Sequence, residues 1–183
     1  QSRAFPDVFM TCDKSFYNKV GNHFSDQPLD ISSTRVVLLV RKGNPKGIHS
    51  IKDLTQAGLS IGTTDPQMST LGKLSWDLFK EQGLSEKIRP AVVVTAPTAH
   101  ELIAQFLAHD KLDCVLVYEA NCQNVSDKAE LIPIKSSIAK AIQNIGASKT
   151  TDYALIMERL IEALRSEQSK KRFLSTGFKI IQN

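Results

Sequence analysis

Two stretches of the chain place hydroxyl residues and a proline directly before a predicted helix. In the first, the apolar run 59–62 leads into residues 63–72, TTDPQMSTLG, and then into an amphipathic segment. In the second, the run 91–95 leads into Ala-Pro-Thr-Ala-His at 96–100. The first N–H groups of a helix have no intrahelical acceptor, and the helix dipole adds roughly half a positive charge there. Both helix starts are therefore candidate sites for an anion held by backbone N–H groups.

A third donor, the phenol O–H of Tyr118, lies at the end of the predicted strand 113–117. A site made only of donors, without lysine or arginine, suits a fully ionised oxyanion, because that ligand brings only acceptors. It would also discriminate by protonation, since a proton on the ligand would meet no acceptor. The alternative interpretation is plain capping, because serine, threonine and proline are ordinary residues at helix starts.

Catalytic and metal sites are poorly supported by the sequence. The four histidines are isolated and fit no metal-binding spacing such as HExxH. An enzyme would need an acid or a base at the same strand ends, where the near candidates are Asp65, His100 and Glu119. The three cysteines are odd in number and widely spaced, which predicts buried thiols and leaves a Cys114–Cys122 bridge open. We expect no catalytic residue, no metal and no cofactor.

The composition is that of an ordinary globular protein, with 42% hydrophobic and 23% charged residues. The net charge of +4 is spread along the chain and forms no basic stripe with aromatics, which argues against nucleic-acid binding. No apolar run is long enough to span a bilayer. A length of 183 residues allows one large domain or two small lobes.

Strands and helices alternate through the centre of the chain, which is typical of an α/β fold with a parallel sheet. The run 35–41 has no polar alternation, so we expect it to be covered on both faces. Residues 22–30 are predicted to be a loop. The predicted strands are 7–11, 35–41, 59–62, 91–95, 113–118, 130–134 and 139–145, and the predicted helices begin near 51, 70, 99, 152 and 166. Ligands bind such sheets outside the carboxyl ends of the strands, where both helix starts and Tyr118 lie.

Five segments, in chain order, resemble the periplasmic molybdate-binding proteins, which are solute receptors of ABC transporters. They are PDVFMTCDKSFYNKV, RVVLLVRKGNPKGIHSIKDL, IGTTDPQMSTLGKLSWDLFKEQGL, DCVLVYEANC and KKRFLSTGFKI. No single segment is highly specific, but their order along nearly the whole chain is.

The resemblance implies a two-lobed, type 2 periplasmic-binding-protein fold of mostly parallel sheets flanked by helices, with the first lobe incomplete. Residues 36–139 would form the second lobe. Residues 1–35 and 140–183 would form the remainder of the first lobe, and the strands 35–41 and 139–145 would serve as hinges.

The resemblance also implies a ligand set. The family's two ligand amides fall on Leu71 and Ala99, with neighbouring polar residues beside them, and its ligand tyrosine falls on Tyr118. The implied ligand-binding residues are Ser69, Thr70, Leu71, Thr98, Ala99 and Tyr118. The bound ligand would be an oxyanion such as molybdate or tungstate.

Two departures from the family's pattern bear on this ligand set. The family's other two ligands are serines that precede the DVF strand, and this chain begins after them. The family's loop often carries Ala-Gly where Leu71-Gly72 stands, so we expect a bulkier side chain at the cleft.

The implied function is an extracytoplasmic solute-binding protein for ABC import, periplasmic or extracellular, with or without a membrane anchor. Its partners would be a small oxyanion and the membrane permease, and it would bind no nucleic acid. An alternative interpretation is the ligand-sensing effector domain of a bacterial transcription regulator, which has the same fold.

Overall fold

The structure is a computed structural model that describes residues 6–181. The chain divides into two compact units, one of Gln1–Thr34 with Ala141–Asn183 and one of Arg35–Lys140. The division expected from the sequence was 36–139 against 1–35 with 140–183. Two long strands, β2 (Leu29–Arg41) and β7 (Lys140–Ala147), have residues in both units.

The first unit contains short strands and two C-terminal helices beside its parts of β2 and β7. Strand β1 (Val8–Thr11) pairs antiparallel with β7, and β8 (Lys179–Ile180) pairs antiparallel with β2. The other elements of this unit are α1 (Lys14–Tyr17), a 3-10 turn at Gly21–His23, α5 (Ala154–Arg165) and α6 (Glu167–Ser175).

An aromatic cluster packs on β1 and β7 in the first unit. The ring of Tyr17 lies 6.0 Å from that of Phe9 and 6.3 Å from that of Phe24. The hydroxyl of Tyr17 donates to the carbonyl of Ser25 at 2.9 Å. A Cβ at Gly146 would collide with this hydroxyl, so the cluster requires a glycine at that position.

The second unit is built on a sheet in which β3 runs parallel to β4 and β5, while β2 runs antiparallel to β5 and β6. Its strands after β2 are β3 (Ile61–Thr64), β4 (Val92–Ala96), β5 (Cys114–Tyr118) and β6 (Ala129–Pro133). Its α-helices are α2 (Thr70–Glu81), α3 (Ser85–Ile88) and α4 (Ala99–Ala108). Short 3-10 turns lie at Ile51–Thr55, Arg89–Ala91, Glu119–Cys122 and Ser137–Ala139.

The core of this unit explains why an unbroken apolar run forms its central strand. From Val36 to Val40 every residue of β2 is at most 3% exposed, which confirms the expectation that both faces are covered. On one face, α4 packs Leu102, Ile103 and Phe106 against the sheet. This packing fixes where α4 begins relative to the strand ends.

Strand β2 begins at Leu29, earlier than the sequence indicated, because residues 29–34 were predicted in part as loop. Four of these six residues are polar, so they carry no strand pattern. They are in the sheet because partners pair with them: Ser32 and Ser33 pair with β8, and the Ser32 hydroxyl donates to Gln143. Strand preference depends on such neighbours more than on the residue itself.

The cysteines of the described residues are all free thiols. Cys114 and Cys122 are buried, and burial raises the pKa of both, that of Cys122 to about 12. Cys12 is exposed, against the expectation of a buried thiol. Over residues 6–181, none of the helices is long and apolar enough to cross a membrane.

Candidate functional site

The two helix starts and Tyr118 lie at one edge of the second unit's sheet. Strands β3 and β4 end level with each other, with Thr64 beside Ala96, and the N–H of Asp65 donates to the carbonyl of Ala96 at 3.3 Å. Strand β5 runs parallel to β3, and Tyr118 is its last residue. All six predicted ligand-binding residues are therefore at the carboxyl end of three neighbouring strands.

The start of α2 is held by Ser69, the residue that caps the helix. Its Oγ accepts the N–H of Gly72 at 3.4 Å and the hydroxyl of Thr64 at 3.1 Å. In the part of the chain that the structure describes, the N–H groups of Thr70 and Leu71 have no protein acceptor. These amides are the unpaired donors that the sequence predicted at this helix start.

Gly72 lets the first turn of α2 lie directly on the end of β3. A Cβ at this position would come within 2.5 Å of the backbone carbonyl of Asp65 and would also collide with that of Thr64. Contacts this short cannot be relieved by a side-chain rotation, because both partners are backbone. The close approach fixes the unpaired amides of α2 beside the strand ends.

Leu71 does not crowd the site, contrary to the expectation drawn from its size. The residue is 1% exposed and belongs to the buried face of α2, together with Leu74 and Leu78. In a helix the side chain and the N–H leave the backbone in different directions. The side chain is therefore taken up by the core while the N–H stays at the helix start.

The start of α4 has the same cap geometry but a more open setting. Thr98 is extended, and its Oγ1 accepts the N–H of Glu101 at 3.2 Å. Thr98 is exposed and Ala99 is half-buried. The amides of Ala99 and His100 have no acceptor within residues 6–181. This start therefore supplies a second pair of backbone donors.

The turn after β5 approaches the start of α4. Tyr118 is half-buried with its hydroxyl oxygen shielded from solvent, and it pairs with Val36 in the sheet. Three residues later, the side-chain amide nitrogen of Asn121 lies 3.5 Å from Nε2 of His100. The contact places the end of β5 and the start of α4 next to each other.

The electrostatics of the site come from helix dipoles, since none of the six residues carries a charge. The nearest carboxylate in the α2 loop, that of Asp65, is engaged with its own loop because Oδ1 accepts the N–H of Gln67 at 2.7 Å. In the described chain no group of three or more His, Cys, Asp and Glu is arranged to hold a metal ion. The arrangement can bind an anion with neutral donors, and that these donors bind one stays a prediction.

A separate cavity of about 460 Å³ lies beside the α2 loop, and none of the six predicted residues lines it. The guanidinium of Arg89 sits over the ring of Trp76 at 4.7 Å in its wall. The other lining residues are Pro66, Asp77, Lys80, Ser85 and Thr95.

Thr64, whose hydroxyl donates to the cap residue Ser69 of α2, was not among the predicted site residues. A hydroxyl at the last strand residue, five positions before a serine cap, is the signal that could have identified it.

Comparisons with known proteins agree with the fold. A Haemophilus influenzae protein named "Putative binding protein" is 29% identical over 142 residues, which are 78% of this chain and 58% of that protein. The chain thus spans 58% of the length of this curated relative. The periplasmic molybdate-binding protein of Azotobacter vinelandii has a TM-score of 0.74 at 17% identity, over 98% of this chain and 80% of that one.

Two further solved structures share the fold with different named ligands. The sulfate-binding protein SubI of Mycobacterium tuberculosis has a TM-score of 0.72 at 15% identity, over 98% of this chain and 71% of that one. A periplasmic thiamin-binding protein has a TM-score of 0.79 at 16% identity, over 97% and 66%. At these identities the likeness shows the fold, not the ligand. The sequence model described as "Bacterial extracellular solute-binding protein" matches residues 1–179, and the chain belongs to that family.

Proposed function

We propose that this protein captures a small tetrahedral oxyanion, of the molybdate, tungstate or sulfate type, for import by an ABC transporter. It would work in the periplasm or outside the cell and deliver the anion to a permease in the membrane. No bond of the ligand is made or broken in this role, and no metal or cofactor takes part.

One observation carries the proposal: two helices begin side by side with unpaired amides. Thr70 and Leu71 supply donors at α2, and Ala99 supplies one at α4. Strands β3 and β4 end in register, so both starts face the same edge of the sheet. Two positive dipole ends at one edge favour a negative ligand.

The comparisons are compatible with an oxyanion but do not decide the ligand. Solved structures with this fold are described as binding molybdate and sulfate, both tetrahedral oxyanions, but also thiamin, which carries a positive charge. The fold alone therefore leaves the ligand open. The choice of an oxyanion rests on the unpaired backbone N–H groups at the two helix starts, where the helix dipoles favour a negative ligand.

Thermal unfolding and calorimetry of the purified protein test the proposal. Molybdate, tungstate, sulfate and phosphate should be compared with thiamin at equal ionic strength. An anion at about a thousandfold its Kd should stabilise the fold by about 4 kcal/mol. Stabilisation by thiamin with no response to any oxyanion would contradict the proposal.

Removal of the Tyr118 hydroxyl tests the site directly. Tyr118→Phe should weaken the anion's affinity by about 1–2 kcal/mol, because a donor to a charged ligand is lost. Tyr153→Phe is the matched control, since Tyr153 lies in the other unit and is 55% exposed. Equal Kd values for both variants would remove Tyr118 from the site.

A further inference from the structure

We propose that the side chains of Asn144, on β7, and Ser33, on β2, hold a buried water molecule in the first unit. Both side chains are polar and more than nine-tenths buried, and neither has a hydrogen-bond partner among the described residues. The inference concerns neither helix start and is independent of the ligand proposed for the second unit.

The side chain of Asn144 is the stronger of the two observations. The residue is 0% exposed, and within residues 6–181 neither the nitrogen nor the oxygen of its side-chain amide has a hydrogen-bond partner. Nearly all buried polar groups in folded proteins are paired, because an unpaired one loses its bonds to water and gains none in return. We therefore expect a bound molecule to complete this amide.

The hydroxyl of Ser33 lies on the same face of the sheet as Asn144. Strand β7 is the neighbour of β2, and the Ser32 hydroxyl donates to the side-chain oxygen of Gln143, so these two side chains share one face. Side chains alternate along a strand, so the next residue of each strand projects from the opposite face. Ser33 is 5% exposed, and its hydroxyl has no partner in the described chain.

The neighbouring polar groups on this face are bonded elsewhere. Thr11 pairs with Asn144 across the strands, but its hydroxyl donates to the carbonyl of Asp13 at 2.7 Å and accepts the N–H of Asp13 at 3.0 Å. Gly146, two residues further along β7, lies under the hydroxyl of Tyr17, which donates to a loop carbonyl at 2.9 Å. These groups therefore leave the amide of Asn144 to another partner.

The chemistry of an amide beside a hydroxyl selects water. The amide has an oxygen that accepts and a nitrogen that donates, so its partner must do both. An oxyanion brings only acceptors and would leave the amide oxygen unpaired, while a metal cation would leave the amide N–H groups unpaired. Water donates and accepts, fits an enclosed position, and typically makes about three hydrogen bonds to buried polar groups.

A water at this position would link the two strands that have residues in both units. On one face, β2 and β7 are joined by the direct bond between Ser32 and Gln143. On the other face, the water would join Ser33 to Asn144. Its removal is therefore expected to weaken the pairing of these strands.

A crystal structure of the wild-type protein, at a resolution that shows ordered waters, tests the proposal directly. We expect one water within hydrogen-bonding distance of both the Asn144 amide and the Ser33 hydroxyl. A direct bond between these two side chains, or no density beside the amide, overturns the inference.

Urea denaturation of single and double variants gives a second test, because residues that share one water should act together. Asn144→Leu keeps a similar volume and should lower the midpoint of unfolding, since Ser33 loses its bridge. Adding Ser33→Ala should lower the midpoint no further. Shifts that add, or a midpoint raised by Asn144→Leu, overturn the inference.

The matched control uses the opposite face of the same strand. Gln143→Met removes a side chain that bonds directly to Ser32, so its shift and that of Ser33→Ala should add. If Asn144→Leu does not fold, Asn144→Ser takes its place in the cycle. Coupling of Ser33 to Gln143 as strong as its coupling to Asn144 also overturns the shared water.

Discussion

The starts of α2 and α4 offer the same backbone donors in different surroundings. At α2, the cap Ser69 is half-buried, and the next two positions of functional interest, Leu71 and Gly72, are buried. At α4, the cap Thr98 and the corresponding residues His100 and Glu101 are exposed or nearly so. The same kind of helix start is thus packed into the core at α2 and exposed at the surface at α4.

A helix start contributes unpaired amides to a site and also fixes their position, and the difference between α2 and α4 separates these two contributions. The unpaired amides depend only on the helix beginning at that point, and both starts have them. The exact placement of those amides depends on packing around the first turn, where Leu71 and Gly72 are buried but His100 and Glu101 are exposed. Paired substitutions at matching helix positions can test this, since α4 serves as the control for α2.

The largest expected effect is on stability at the second helical position. Leu71→Ala should lower the free energy of unfolding by about 2–5 kcal/mol, because it removes a buried side chain from the core. His100→Ala, at the same position of α4, should change it by less than about 0.5 kcal/mol. Urea titrations of both variants give these values.

The affinity of Leu71→Ala for the anion, measured where the variant is fully folded, should remain that of the wild type. The ligand group at this position is the N–H, which the substitution keeps. A selective loss of affinity would show that the leucine side chain itself takes part in the site.

The cap residues come next. Ser69→Ala should cost about 2–4 kcal/mol of unfolding free energy, since the helix loses its cap and the Thr64 hydroxyl loses its acceptor. Thr98→Ala should cost only about 1 kcal/mol, because Thr98 makes the cap bond alone. Comparable losses in chemical denaturation would mean that the two starts are energetically alike.

The third helical position should show a smaller difference. Gly72→Ala should destabilise by about 1–3 kcal/mol, because the new Cβ meets the backbone of Asp65 and pushes the first turn outward. Glu101→Ala should stay within about 0.5 kcal/mol. The anion's Kd should rise in the first variant and not in the second, as titration calorimetry can measure.

The smallest effect concerns a third helix start, that of the 3-10 helix Ile51–Thr55. The carboxylate of Asp53 accepts the N–H of His49 and the hydroxyl of Ser50, each at 3.0 Å, and the His49 bond is the main cause of its lowered pKa. A lowered pKa stabilises the fold above the unfolded-state pKa of about 3.9, and this contribution is lost as pH falls through the folded-state pKa.

Asp53→Asn should therefore cost about 0.5 kcal/mol at neutral pH, and the difference from the wild type should close in acid. Denaturation midpoints measured across this range provide the check. A difference that grows in acid would show that the carboxylate does not act through its charge.

The sequence predicted those elements in which the residue types match the burial and the helix boundaries of the structure. The strand residues Val36–Val40 are apolar and buried, and the caps Ser69 and Thr98 stand where helices α2 and α4 begin. The extension of β2 to Leu29 was missed because its polar residues are held by partners far along the chain.

The sequence predicted which site residues lie at the strand ends, but it did not predict their side-chain directions or hydrogen bonds. The direction of the Leu71 side chain and the link from Thr64 to Ser69 depend on three-dimensional packing between α2 and β3. A hydroxyl five residues before a serine cap marks Thr64 as a candidate, but the hydrogen bond itself forms only because α2 lies on the end of β3.

A crystal structure of the protein with tungstate, located by its anomalous scattering, would show directly whether the two helix starts bind an anion. We expect one strong peak within hydrogen-bonding distance of the Leu71 and Ala99 amides. A peak only in the 520 Å³ cavity of the first unit, which Arg165 and Lys170 line, or at no ordered position, would contradict it.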